Sequence, residues 1–172
     1  MIPSYYYGTQ LVLDGTNVKE LAYDPSLDQA VFTTEFWTFI ESDYASATSA
    51  YPWVLCKTWH EWTDGNYGVT IHNDQVRATM NTGGGSENQR IIWGPVITDF
   101  SRWYHFAITC DGTSFEFYVN GVLAGTEQLT GTFTPSTQST FLGRRGGAAG
   151  DGFHMKGEFC TRGAGQLVVV MI

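Results

Sequence analysis

Between Trp59 and Tyr67 the chain reads WHEWTDGNY, and the side chains of Trp59, His60, Glu61, Trp62, Asp64, Asn66 and Tyr67 can all bind or react. Flat tryptophan faces beside amide and carboxylate groups are what recognition of a sugar ring requires, because the ring stacks while the polar groups read hydroxyl directions. The same rings would serve as anchors in a protein interface, or would fold back to cap a hydrophobic core. The sequence leaves these three readings open. His60-Glu61-Trp62-Thr63-Asp64 begins like a zinc-protease helix motif, but Asp64 stands where the second histidine is needed. Gly65 follows at once, where the helix would have to continue. Asp64-Gly65-Asn66 offers hard oxygen ligands for calcium. One short cluster does not fill the roughly 6 to 8 oxygen positions that ion prefers without help from carbonyls or a second loop. A plain turn is expected there and no cofactor, with calcium the single ion the sequence keeps in play.

Elsewhere the chemistry is sparse. No serine or cysteine sits in a nucleophile motif, and the glycine-rich GRRGGAAGDG lacks the lysine and following helix of a phosphate cradle. Seventeen acidic against nine basic residues give a net charge of −8. That field repels phosphate backbones and anionic lipid, so nucleic acid and membrane surfaces are set aside as partners. The apolar tail Leu167–Ile172 is far shorter than the roughly 20 residues that cross a bilayer, and it reads as a last buried strand. No basic segment followed by an apolar run opens the chain, so synthesis in the cytoplasm without a signal peptide is expected. Cys56, Cys110 and Cys160 lack the spacing of a disulfide framework or zinc knuckle and read as buried thiols.

The elements that must position any site are strands. Aromatic residues make up 15% of the chain and glycines number 20, a pairing that suits short strands and tight turns. Strands are expected near Gln10–Leu13, Asn17–Ala22, Val31–Ile40, Trp53–Lys57, Tyr67–Ile71, Gln75–Asn81 and Gln89–Val96. Others fall near Trp103–Thr109, Ser114–Asn120, Val122–Glu127, Thr137–Leu142, Phe153–Phe159 and Gln166–Met171. Cys110-Asp111-Gly112-Thr113 and Asn120-Gly121 are the turns between three of them. Phe106, Ile108, Phe115, Phe117 and Val119 occupy alternate positions and are read as core. No linker divides the chain, so residues 1–172 are read as a single all-β domain, an antiparallel β-sandwich of two sheets.

LVLDG at Leu11–Gly15, FTTEFWTFI at Phe32–Ile40, RWYHFAITCDGTSFEFYVNGVLAG at Arg102–Gly125 and FLGRRGG at Phe141–Gly147 resemble, in order and spacing, the laminin G-like, concanavalin A-like jelly rolls. The resemblance implies two curved sheets face to face with a rim of loops, and it makes Trp103 and His105 framework residues rather than catalytic ones. The chain departs from the family at MKGEFCTRGAGQLVVVMI. Related glucanases carry paired carboxylates in an E-x-D-x-x-E strand, about 5 to 5.5 Å apart. Glu41 and Asp43 supply the first half here, but Ser46 stands where the closing glutamate belongs. A non-enzymatic role follows. One form is a decoration or structural component of a larger particle such as a phage virion, with protein partners or copies of itself and a place on the particle surface. The alternative is a free-standing, extracellular lectin-like module that binds glycans through the Trp59–Tyr67 loop. A glucanase-like hydrolase is a third, weaker reading.

Overall fold

The structure, a computed structural model, describes residues 10–25, 29–45, 51–58, 62–146, 154–162 and 166–167. In chain order their strands are β1 (Gln10–Asp14), β2 (Lys19–Leu21), β3 (Phe32–Ala45), β4 (Trp53–Lys57), β5 (Tyr67–His72), β6 (Gln75–Asn81), β7 (Gln89–Val96), β8 (Arg102–Cys110), β9 (Ser114–Val119), β10 (Val122–Gln128), β11 (Thr140–Leu142), β12 (Met155–Arg162) and β13 (Gln166–Leu167). A seven-stranded sheet runs β1-β12-β3-β8-β9-β10 with β13 paired to β12, and a six-stranded sheet runs β2-β11-β4-β5-β6-β7. All pairings are antiparallel, and the all-β sandwich read from the sequence is what forms.

Period-two patterning builds both layers. Along β3, Phe32, Phe36 and Ile40 are buried while Glu35, Trp37 and Phe39 are half-buried on the opposite face. Tyr104, Phe106 and Ile108 of β8, and Phe115, Phe117 and Val119 of β9, turn the same way as Phe32 and Phe36. The expected core residues of these strands are therefore in the core. Phe106 lies 5.8 Å from Phe36 and 6.0 Å from Phe117, ring centre to ring centre, and Phe36 lies 5.9 Å from Phe159 on β12. Phe32 spans the layers, 4.6 Å from Tyr67 on β5 and 5.7 Å from Phe133.

The expected turns form. Asn120 and Gly121 adopt φ of 52° and 76°, the left-handed pair of a tight hairpin. The Asp111 carboxylate accepts the backbone N–H groups of Thr113 (2.8 Å) and Ser114 (2.6 Å). Strand ends moved where side chains competed for the backbone. β2 begins at Lys19 rather than Asn17 because Asp14 captures the N–H groups of Thr16 and Asn17 in a turn. β11 begins at Thr140 rather than Thr137. β3 continues past Ile40 to Ala45 across a register shift against β12, which places Glu41 and Asp43 within the strand and not at its end.

β4 is buried along its whole length. Trp53 turns away from the core cluster yet is only 1% exposed, because its ring lies across Gly68 of the neighbouring strand. A methyl group on Gly68 would stand 2.7 Å from the Trp53 ring and would run into the Leu55 carbonyl. Cys56 and Cys110 are buried, as expected, and burial raises the pKa of the Cys110 thiol.

Two expectations follow. Gly68→Ala should destabilise by about 1 to 3 kcal/mol through overpacking, read as a lower denaturant midpoint. Hydrogen bonds from the Thr16 hydroxyl hold Asp14, and N–H donors of Thr113 and Ser114 hold Asp111, so each carboxyl drops from 3.8 to about 2. A pKa lowered by folding stabilises above the unfolded value, so stability should be level above about pH 4 and should fall as pH drops through about 2. Asp111→Asn should flatten that acid limb in denaturation curves taken from neutral to acid pH.

Candidate functional site

Of the Trp59–Tyr67 set, the described residues do not share one surface. Trp59, His60 and Glu61 lie outside the described residues. Trp62 is 49% exposed and Asp64 is exposed on the same rim turn. Asn66 and Tyr67 point inward, which corrects their assignment to a ligand surface. Asn66 is fully buried, and its amide nitrogen donates to the Lys57 carbonyl and to Thr58 Oγ1 (3.2 Å). Tyr67 packs on Phe32 and Phe133. The rim is held by the glycine-rich turn that follows β6. Gly85 N–H donates to the Trp62 carbonyl (2.8 Å) and Gly65 N–H to the Asn81 carbonyl (3.0 Å). Gly65, at φ 71°, lies so close to Thr134 and Ser136 that a side chain there would meet their backbone. Among the described residues no group of three His, Cys, Asp or Glu side chains is placed to hold a metal ion.

The outer face of the six-stranded sheet carries a ring cluster that the sequence reading missed. Tyr51, just before β4, meets His72 at the end of β5 edge-on, with ring centres 4.3 Å apart. His72 lies 5.4 Å from Trp93 on β7, and the Arg77 guanidinium sits 5.7 Å from the Trp93 ring centre. Register explains the row: His72 pairs with Gln75 across the β5–β6 hairpin, and Arg77 pairs with Trp93 across β6–β7. Tyr51 is 36% exposed and Trp93 is 44% exposed. The Gln75 amide donates to the Gly94 carbonyl at 2.8 Å and helps fix β6 against β7. Two exposed rings flanked by imidazole and guanidinium donors present a stacking surface with hydrogen-bonding groups at its border. The signal was present in sequence as alternation: His72, Arg77 and Trp93 occupy the positions that Ile71, Ala78 and Ile92 leave facing outward.

The seven-stranded sheet also carries rings outside, but acids accompany them. Trp37 pairs with His105 and Phe39 with Trp103 across β3–β8, with ring centres 5.0 and 5.7 Å apart. His105 Nε2 lies 3.3 Å from the Glu35 carboxylate, and its backbone N–H donates to the Asn120 side chain. That is the framework role expected of it. Glu41 and Asp43 share one cation, Lys156, whose Nζ is 3.7 and 2.6 Å from their carboxylates. The Lys156 hydrogen bond lowers the Asp43 pKa. An acid so engaged is poorly placed to protonate a leaving group.

The architecture is shared with solved structures of low sequence identity. A native heptameric pentraxin from Limulus polyphemus superposes with a TM-score of 0.63 at 15% identity, covering 95% of this chain and 90% of that one. The CBM40 module of the Ruminococcus gnavus sialidase, bound to α2,3-sialyllactose, gives 0.58 at 14% identity, with 88% of each chain covered. Domain 4 of the Geobacillus stearothermophilus arabinanase AbnA, in complex with arabinotriose, gives 0.62 at 16% identity, with 90% and 68% covered. At such identities the likeness is one of fold. No curated protein matches the chain. The family model of the concanavalin A-like lectin/glucanases superfamily spans residues 13–159, from the inward Leu13 of β1 to Phe159 of β12, and the chain belongs to that superfamily.

Proposed function

We propose that the protein is a non-catalytic carbohydrate-binding module whose ligand lies along the Tyr51–His72–Trp93 row on the outer face of the six-stranded sheet. The observation that carries this reading is the exposure of two rings in one row with the Arg77 guanidinium at its border. Sugar rings present axial C–H groups that stack on an indole face, and guanidinium and imidazole donors suit hydroxyl or carboxylate oxygens. The sialidase and arabinanase modules, which hold sialyllactose and arabinotriose, support the reading by their fold. Engagement of Glu41 and Asp43 with Lys156 supports a role without catalysis.

Particle attachment, the other role read from the sequence, has a separate support. Val96, Val122 and Leu123 are exposed on β7 and β10, strands that each end one of the two sheets. Edge strands that carry exposed apolar side chains invite a neighbour, so a place on the surface of a larger assembly, a virion included, fits a glycan-binding module.

Titration calorimetry with neutral and acidic oligosaccharides tests the binding reading. Binding is expected in the micromolar to millimolar range, with Trp93→Ala weakening it about tenfold or more and Trp62→Ala changing it little. A wild-type protein that takes up no sugar at millimolar concentration, or a Trp93→Ala variant that binds as well as wild type, would sink the proposal.

A further inference from the structure

The two outer faces differ in charge. On the six-stranded sheet the outward positions of β5 to β7 include His72 and Arg77 and no carboxylate. On the seven-stranded sheet, Glu35 and Glu41 of β3, Glu116 of β9 and Glu158 of β12 surround the outward rings Trp37, Phe39, Trp103 and Tyr118. Cations are few among the described side chains of this face. Lys156 is held between Asp43 and Glu41, and His105 rests on Glu35.

Two acids keep carboxylate oxygens without a partner among the described residues. Tyr118 donates to Glu116 Oε2 at 2.5 Å and Thr109 reaches the same oxygen at 3.4 Å, so Oε1 has no partner among the described residues. The Glu158 carboxylate likewise has none among them, although its backbone carbonyl accepts a hydrogen bond from Thr38. Ala107 is paired with Glu35 on one side and Tyr118 on the other, and is buried between them. At the end of the strip, beside the start of β3, Val31, Thr33, Thr109, Asp111 and Glu116 line a depression of 270 Å³.

We propose that this face docks an arginine-bearing polypeptide segment in extended conformation. A guanidinium both stacks on aromatic rings and forks onto carboxylates, so one side chain satisfies the two group types that alternate here. Outward positions along β3 recur every second residue, about 7 Å apart, the interval at which an extended peptide repeats its own side chains on one face. Glu35, Trp37 and Phe39 thus present an acid and two rings at the spacing of alternate arginines. The depression at Glu116 receives the head group of one of them. Neutral sugars would leave the carboxylates uncompensated, whereas a basic segment matches them and is steered in by the net charge of −8. This docking face is separate from the Tyr51–His72–Trp93 row, so the two readings stand or fall independently.

The test is fluorescence anisotropy with a labelled peptide of alternating arginine and serine, at low salt and at about 150 mM salt. Micromolar binding that weakens with salt is expected. The double change Glu35→Gln and Glu116→Gln should raise Kd about tenfold at unchanged melting temperature, since each lost ion pair is worth up to about one kcal/mol. Glu158→Gln, which removes a carboxylate without a partner among the described residues, should raise it about twofold to fivefold and keeps the test decisive if the double variant melts early. Trp93→Ala and Arg77→Ala should leave the peptide affinity unchanged. Absence of peptide binding, equal affinity for wild type and both glutamine variants, or displacement of the peptide by a glucosamine oligomer at lower concentration would overturn the proposal.

Discussion

The phenylalanine row shared by β3, β8, β9 and β12 is the constraint on which the rest depends. Phe36, Phe106, Phe117 and Phe159 touch ring to ring within one layer, and Phe32 carries the contact to Tyr67 in the other. Buried rings contribute large apolar area, and removing one such side chain typically costs about 3 to 5 kcal/mol. Because side chains alternate in a strand, fixing the phenylalanines inward fixes every neighbour outward. Glu35, Trp37, Phe39, Trp103 and His105 are therefore surface residues as a consequence of core packing. A one-residue slip of β3 would bury a glutamate and expose two phenylalanines, so the register of the outer face is as firmly set as the core itself.

This coupling explains what could be read from sequence. Asn120-Gly121 and Asp111-Gly112 named their hairpins because the left-handed conformation and the side-chain cap are local properties. β4, β6 and β7 have the bounds expected of them from the sequence. The continuation of β3 through Glu41 and Asp43 was hidden, because it depends on a register shift against β12, more than a hundred residues away in the chain. The Trp59–Tyr67 stretch misled for a different reason. Composition groups its last residue with the loop, although Tyr67 shares a strand face with Val69 and Ile71 and must turn inward with them. Nothing local marks Asn66 as interior. It is buried because Cys56, Lys57, Thr58 and Asn81 converge on it from two other strands and the residue that ends one of them.

The glycine-rich turn after β6 shows the same dependence on tertiary context. In sequence NTGGGSEN reads as an irregular loop. Instead Asn81 folds it, accepting the N–H groups of Gly83 and Gly84 on its side-chain oxygen and donating to the Gly85 carbonyl. Gly85 then grips the Trp62 carbonyl. The absence of side chains lets two backbones approach and pins the rim where it crosses the end of the sheet.

Placing rings on strands rather than on loop tips has a consequence for recognition. A loop tryptophan must give up backbone as well as side-chain freedom when a ligand orders it, whereas Trp93 and Trp37 are already held by ladder pairing to Arg77 and His105. Neighbouring strands lie about 4.8 Å apart, which sets the ring spacing before any ligand arrives. The cost is adaptability: a sheet face suits ligands that are themselves regular, such as an oligosaccharide or an extended peptide. Charge then separates the two faces. Arg77 and His72 border one and Glu35, Glu116 and Glu158 border the other, so a single sandwich can present two regular surfaces that do not compete for the same partner.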